Sequence, residues 1–259
     1  MSDILLERSA SGVVTITLNR PQRKNAFGRG MWDELRRLLQ EVAHTASDRV
    51  LVITGAGNSF CAGADLGGVA APGQPAHPLH AMVPVNAAAI ALHELGKPSI
   101  AKVNGDAVGA GMNLALGCDL VVAGESARFS EIFARRGLSL DFGGSWLLPR
   151  LVGMHKAKEL AFFADILSAR EAERIGLVNR VVPDALLDAF VADWAERLAS
   201  SAPLALQLSK KLLSNAFALG LSEALDAEAA AQSVNLVSED TQEGVRAFLE
   251  KRQPTFRGR

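Results

Sequence analysis

The stretch SIAKVNGDAVGAGMNLALGCD, Ser99–Asp119, carries the reading of the fold. SIAKVN is a β-like run. It leads into a glycine-rich turn, and the turn opens an apolar, helix-like run, MNLALG. That is the layout of a phosphate-cradling loop, with Gly109-Ala110-Gly111 where a dinucleotide fold places its first glycines. The match fails in detail. The sixth position of G-x-G-x-x-G/A is Leu114, and the acidic residue about 20 positions on, Glu131, does not end a second strand of the required kind. A second stretch of small residues, SFCAGADL (Ser59–Leu66), follows another apolar run, RVLVITG (Arg49–Gly55). Two loops free of bulk, each after a strand, can bring two backbone N–H groups together as an oxyanion hole. Two tight turns with ordinary packing glycines fit the same spacing.

Outward from these loops, strands and helices alternate. Val14, Ile16 and Leu18 share one face of a strand, with Val13, Thr15 and Thr17 on the other, and Ser11-Gly12 marks a turn before it. Met31, Leu35, Leu38, Leu39 and Val42 recur at helical spacing. A helix is expected over about 85–95, a strand at DLVVAG (Asp119–Gly124) and a short one at ARFSE. This order argues an α/β fold with βαβ crossovers. Gly67–Pro84, rich in Gly and Pro, is expected to be a lid or binding loop, with His77 and His80 in it. Ser168 and Glu171 form a capping box, and GLVNRVV is a short strand. Beyond it four helices are expected. The division is an α/β core over 1–183 and a helical region over 184–259, and no internal repeat is visible.

The chain has 259 residues, 49% hydrophobic and 21% charged, with a net charge of −1. It can bury a large core and lacks the basic excess of a nucleic-acid binder. No apolar run is long enough for a membrane helix, and the N-terminus lacks the order of a signal peptide. Cys61 and Cys118 give neither metal spacing nor a disulfide framework, so no metal is expected and a reduced, cytoplasmic setting is. Cys61 reads as a small packing residue.

Several linked motifs now combine: NRPxxxNA (Asn19–Ala26), SFCAGADL, VNG…GAGMNLALGCD, GGSWLLPRLVG (Gly143–Gly153) and the terminal FLEKR. In order and spacing they resemble the enoyl-CoA hydratase/isomerase family, the crotonase superfamily, over nearly the whole chain. The resemblance implies a ClpP-like spiral of ββα units followed by a helical region that builds trimers, often paired as hexamers. It implies an acyl-CoA thioester as substrate, coenzyme A being part of that substrate, with no prosthetic group. The family's oxyanion donors map onto the N–H groups of Ala64 and Ala110. Its CoA contacts map onto Arg23, Lys24 and Ala26, onto the loop Ala62, Ala64, Asp65 and Leu66, and onto Lys251 in FLEKR. Two such donors suit an enolate formed on a thioester, each contributing roughly 3–4 kcal/mol.

The general base sets the reaction. Hydratases of the family carry two glutamates, and here those positions hold Asn113 and Phe133. Neither side chain can act as a base. Glu131 lies two residues from the second position, on a turning segment, and is discounted. Asp141, in LxLDFGGSWLLPR, matches the aspartate of family isomerases and dehalogenases, and the pattern looks closest to the ring-1,2-epoxyphenylacetyl-CoA isomerase branch. Read alone, an Asp before Gly-Gly and a helix is an N-cap. Leu140, Phe142 and Trp146, with Asn113 and Phe133, are expected to wall the substrate pocket. The expected activity is a double-bond shift with Asp141 as base. Alternatives are a hydratase with altered water positioning, a nucleophilic Asp141, or a CoA-binding paralogue without turnover.

Overall fold

The computed structural model describes residues 2–68 and 78–259. In chain order its elements are β1 (Ile4–Arg8), β2 (Val13–Leu18), α1 (Met31–His44), β3 (Val50–Gly55), β4 (Ser59–Cys61), α2 (Met82–His93), β5 (Ser99–Val103), β6 (Asp106–Val108) and α3 (Ala110–Leu116). Then follow β7 (Leu120–Gly124), β8 (Arg128–Ser130), α4 (Gly144–Phe163), β9 (Leu167–Ser168), α5 (Ala169–Arg174) and β10 (Arg180–Val182). Four helices close the chain: α6 (Leu187–Ala199), α7 (Pro203–Asn215), α8 (Leu221–Leu236) and α9 (Glu239–Glu250).

Two sheets organise these elements. The larger runs β1-β2-β3-β5-β7-β10, parallel throughout except for the β1–β2 hairpin. The smaller runs β4-β6-β8-β9, its first three strands parallel. Each long strand β3, β5 and β7 is thus followed by a short strand in the second sheet, which is the ββα repeat that the resemblance implies. The short strands β4 and β6 lie inside stretches that read as turns. Three residues are too few to show a periodicity, and their pairing is supplied by neighbours distant in sequence.

A parallel sheet is covered on both faces, so its central strands are apolar on both. All six residues of β3 are buried. Leu51 and Ile53 join Val14, Ile16 and Leu18 in the main core, together with Leu35, Leu38, Leu39 and Val42 of α1 and Leu92 of α2. Val50, Val52, Ile100 and Val122 face the other way, onto Leu187, Val191, Ala195 and Ala199 of α6. The helical region therefore begins with a helix that seals the sheet. Helices α7–α9 extend beyond it and expose Leu213, Phe217, Leu221, Val237 and Phe248. Among the described residues no helix is long and apolar enough to cross a membrane.

Candidate active site

Cys61, Val108 and Ser130 are the last residues of β4, β6 and β8, three adjacent parallel strands. The segments that follow them leave the same end of the small sheet: Ala62–Leu66, Gly109-Ala110 and Glu131. Ligands of open parallel sheets gather at the carboxyl ends of the strands. That register joins loops separated by tens of residues in the sequence.

Missing side chains hold the first two segments together. A Cβ on Gly111 would lie 2.2 Å from the Cys61 carbonyl oxygen, and one on Gly63 would lie 2.9 Å from the Val108 carbonyl oxygen and 3.3 Å from the Ala110 nitrogen. Gly109 has φ +56°, a conformation that side chains rarely adopt, and its N–H donates to the Ser130 carbonyl at 2.8 Å. Ala110 opens α3, where the first amides have no partner within the helix. On the other loop, Phe27 N–H donates to the Gly63 carbonyl and Asp65 N–H donates to the Phe27 carbonyl. This parallel bridge turns the Ala64 N–H away from Phe27. Among the described residues neither Ala64 nor Ala110 donates its N–H to another backbone group.

Beside these amides lies a cluster of buried polar side chains. Asn113, one turn into α3, is fully buried, and its Nδ2 donates to the Asp141 main-chain carbonyl at 3.0 Å and to Glu131 Oε2 at 3.4 Å. Gly144 presses against the Asn113 amide so closely that a Cβ there would be 2.4 Å from Nδ2. Asp141 is half-buried and its Oδ1 is enclosed without a partner. It is not the helix cap: α4 is capped by Gly143 in a left-handed conformation, with no side-chain bond. Burial pushes the Asp141 carboxyl up to about 6. Phe142 next to it has φ +46°, a strained backbone for a side-chain-bearing residue, and its ring packs 5.2 Å from Trp32.

Glu131 corrects the sequence reading. The segment does turn, into a 3-10 helix at Ile132–Arg136, yet Glu131 points inward and is only 1% exposed. Burial pushes its carboxyl up to about 8, with the Asn113 N–H opposing and the charge of Asp141 adding to the rise. The cue available in the sequence was its position directly after the short strand that ends in Phe129 and Ser130, both buried.

The remaining expected residues divide. Phe133 is buried with its ring against Gly109, and Leu140 packs partly into the core. Trp146 is 40% exposed, edge-on to His93 of α2 and 3.9 Å from the Arg150 guanidinium. Ala62 N–H donates to the Lys24 carbonyl, so the Arg23–Ala26 turn and the Ala62–Leu66 loop run side by side. Asn25, inside the Arg23–Ala26 segment, fixes this turn: fully buried, it accepts from Arg20 N–H and donates to the carbonyls of Ala56 and Ser59. Arg23 is exposed, and Lys24 pairs with Asp106 at 3.0 Å. Asp65 pairs with Arg20 at 3.1 Å and Leu66 is exposed. Lys251 stands apart, exposed at the end of α9, which packs on α8. Cys61 is buried and burial pushes its thiol up to about 12, as suits a packing residue. His80 is exposed, and His77 lies outside the described residues. Among the described residues no cluster of His, Cys, Asp and Glu could hold a metal ion.

The family model described as enoyl-CoA hydratase/isomerase matches residues 8–259. The chain is 40% identical to a 1,2-epoxyphenylacetyl-CoA isomerase of Escherichia coli over the full length of both. It is 41% identical to a probable enoyl-CoA hydratase of Rhodobacter capsulatus over 96% of each. A crystal structure of an enoyl-CoA hydratase from Bacillus anthracis superposes with a TM-score of 0.95 at 36% identity, covering all of both chains. Sequence and fold agree over the whole length, and the chain belongs to the enoyl-CoA hydratase/isomerase family, with its crotonase fold.

Proposed function

We propose that this enzyme moves a carbon–carbon double bond in an acyl-CoA thioester, with Asp141 as the base and the N–H groups of Ala64 and Ala110 as the oxyanion donors. The observation that carries the reading is the Asp141 carboxyl. Its Oδ1 is enclosed and it caps nothing, and the main-chain carbonyl of the same residue accepts from Asn113 on the helix that Ala110 opens. A carboxylate raised to about 6 is still ionised at neutral pH and is a stronger base than an exposed one.

The steps balance with one carboxyl group. The Asp141 carboxylate takes a proton from the α-carbon of a 3-enoyl thioester. The C–H electron pair enters the conjugated system and the negative charge settles on the thioester oxygen, between the two amides. The Asp141 carboxylic acid then returns the proton to the γ-carbon, leaving the conjugated 2-enoyl thioester and a free carboxylate. The positive end of α3 adds to the stabilisation. Arg23, Lys24 and the Ala62–Leu66 loop would take the CoA moiety. The aromatic and aliphatic side chains of Phe133, Leu140, Phe142 and Trp146 would shape the acyl pocket.

The test is Asp141→Asn with a 3-enoyl-CoA, followed by the absorbance of the conjugated product. Loss of a general base lowers kcat on the order of 100- to 10,000-fold, and undiminished turnover would end this reading. A hydratase is the second reading, favoured by the presence of two carboxyls, Glu131 and Asp141, within electrostatic reach of each other. It is separated by incubating the enzyme with a 2-enoyl-CoA and weighing the product for added water.

The exposed apolar residues of α7–α9 fit the trimer or hexamer of the family, in which Lys251 would serve a neighbouring subunit's CoA site. Light scattering of the purified enzyme checks the assembly.

A further inference from the structure

Glu131 has no part in the steps just written, although it is among the most deeply buried carboxyls of the chain. Its hydrogen-bond partner is Asn113, through Oε2, and among the described residues no cation pairs with it. Both hydrogens of Asn113 Nδ2 are engaged, one by Glu131 and one by the Asp141 carbonyl. Three enclosed acceptors remain without a donor: Asn113 Oδ1, Glu131 Oε1 and Asp141 Oδ1. Buried acceptors of this kind call for a donor, and a protonated carboxyl is one that the cluster can supply from its own atoms.

We propose that Glu131 is a positioning residue that works as a protonated acid, holding the Asn113 amide and through it the turn that carries Asp141. The proposal rests on Asp141 being the base. The link is short: Glu131 to the Asn113 amide, the amide to the Asp141 carbonyl, and the same amide against Gly144 at the start of α4. Glu131 is itself anchored, because Ser130 before it accepts from Gly109 N–H.

The charge state follows from the surroundings. Burial raises the Glu131 carboxyl to about 8. Helix α3 carries no charged side chain. On the paired strands, Asp106 is engaged by Lys24 and Arg128, and beyond them Arg135 meets Asp165 and Arg170 meets Glu125. On α4, Arg150 stacks on Trp146, Lys156 pairs with Glu159, and His155 and Lys158 are exposed. Among the described residues Asp141 is the charge that reaches Glu131. Above its titration Glu131 loses its O–H donor and becomes a second anion that repels the Asp141 carboxylate, so the turn that carries Asp141 shifts although Asp141 is fully ionised.

The experiment compares Glu131→Gln and Glu131→Leu with the wild type, measuring kcat and KM across neutral and alkaline pH. Leu is expected to lower kcat on the order of 100-fold with KM little changed, the scale of a misplaced catalytic group. Gln, which keeps the shape and the donor, is expected to recover most of kcat and to remove the wild type's alkaline fall. Infrared spectra give a readout independent of turnover: a protonated-carboxyl C=O band at neutral pH that Gln abolishes and Asp141→Asn retains. The proposal is overturned if Gln is as slow as Leu, if the alkaline fall persists in Gln, or if Gln removes no such band. Full turnover in Asp141→Asn would overturn the positioning role through its foundation, and the infrared band of that variant tells this failure from the others.

Discussion

The Asn113 side-chain amide donates to the main-chain carbonyl of Asp141 over 3.0 Å, joining the first turn of α3 to the residues that open α4. Asn113→Asp replaces that donor with an acceptor facing another acceptor. The expected result is a fall in kcat on the order of 100-fold. The added negative charge also moves the acid limb of the rate profile upward. Steady-state kinetics from acid to neutral pH measure both effects.

The rate profile of the wild type should be a bell. kcat/KM rises as Asp141 ionises through about 6 and falls as Glu131 ionises through about 8. Because the charge of Asp141 raises Glu131, Asp141→Asn should lower the Glu131 midpoint, whereas Glu131→Gln should leave the Asp141 limb in place. A profile flat through the acid limb counts against Asp141.

Stability should change with pH in the opposite sense to an ordinary paired carboxylate. Both groups titrate above their unfolded values, so the folded chain binds their protons more tightly. The stability they contribute is complete below about pH 4 and is lost as pH rises through about 6 and about 8. Asp141→Asn removes the Asp141 share of that loss. At mildly alkaline pH the variant should be more stable than the wild type by on the order of 2 kcal/mol, a gain that vanishes in acid. Urea unfolding at the two pH values decides it.

Gly109 and Gly111 should fail for different reasons. A methyl group at Gly109 has room, 3.5 Å from Ile132, but φ +56° strains any side-chain-bearing residue. Gly109→Ala should therefore fold and lose kcat, at about 1–3 kcal/mol of strain. At Gly111 the methyl group would overlap the Cys61 carbonyl at 2.2 Å, so the loops must part. Gly111→Ala should lose both stability and turnover, seen as a lower melting temperature beside a lower kcat.

Both thiols should be silent toward thiol reagents in the native enzyme. Cys61 and Cys118 are buried and their thiols are pushed well above neutrality, so the reactive thiolate is scarce and enclosed. Titration should find two thiols only after a denaturant is added.

The elements with several turns or a clear alternation were legible in the sequence. Val14, Ile16 and Leu18 of β2 are fully buried between half-exposed neighbours, and the α1 stripe forms the core it promised. The Ser168–Glu171 capping box is present in α5. What escaped were features set by partners remote in sequence. β4 and β6 exist through their pairing with each other. Asn25 looked like part of a motif and is a buried bracket between two loops. Glu131 was set aside because its segment turns, and local conformation does not reveal which side of a turn meets the interior. Asp141 read as a cap on local grounds, whereas the left-handed Gly143 closes the helix and frees the carboxyl.

The contact between Gly111 and the Cys61 carbonyl separates two kinds of change open to this protein. In the proposed function negative charge is received by main-chain amides, held together where Cβ atoms are absent, so a side chain at Gly111 would part the two loops. The proton is moved by one side chain, Asp141, and Asn113 and Glu131 hold it in place, so that part depends on side chains rather than on main chain. Such a scaffold can inherit its electrophile holder intact and acquire a new reaction by replacing an acid or a base. Relatives of similar identity can then carry different reaction names, as the isomerase and the hydratase compared above do.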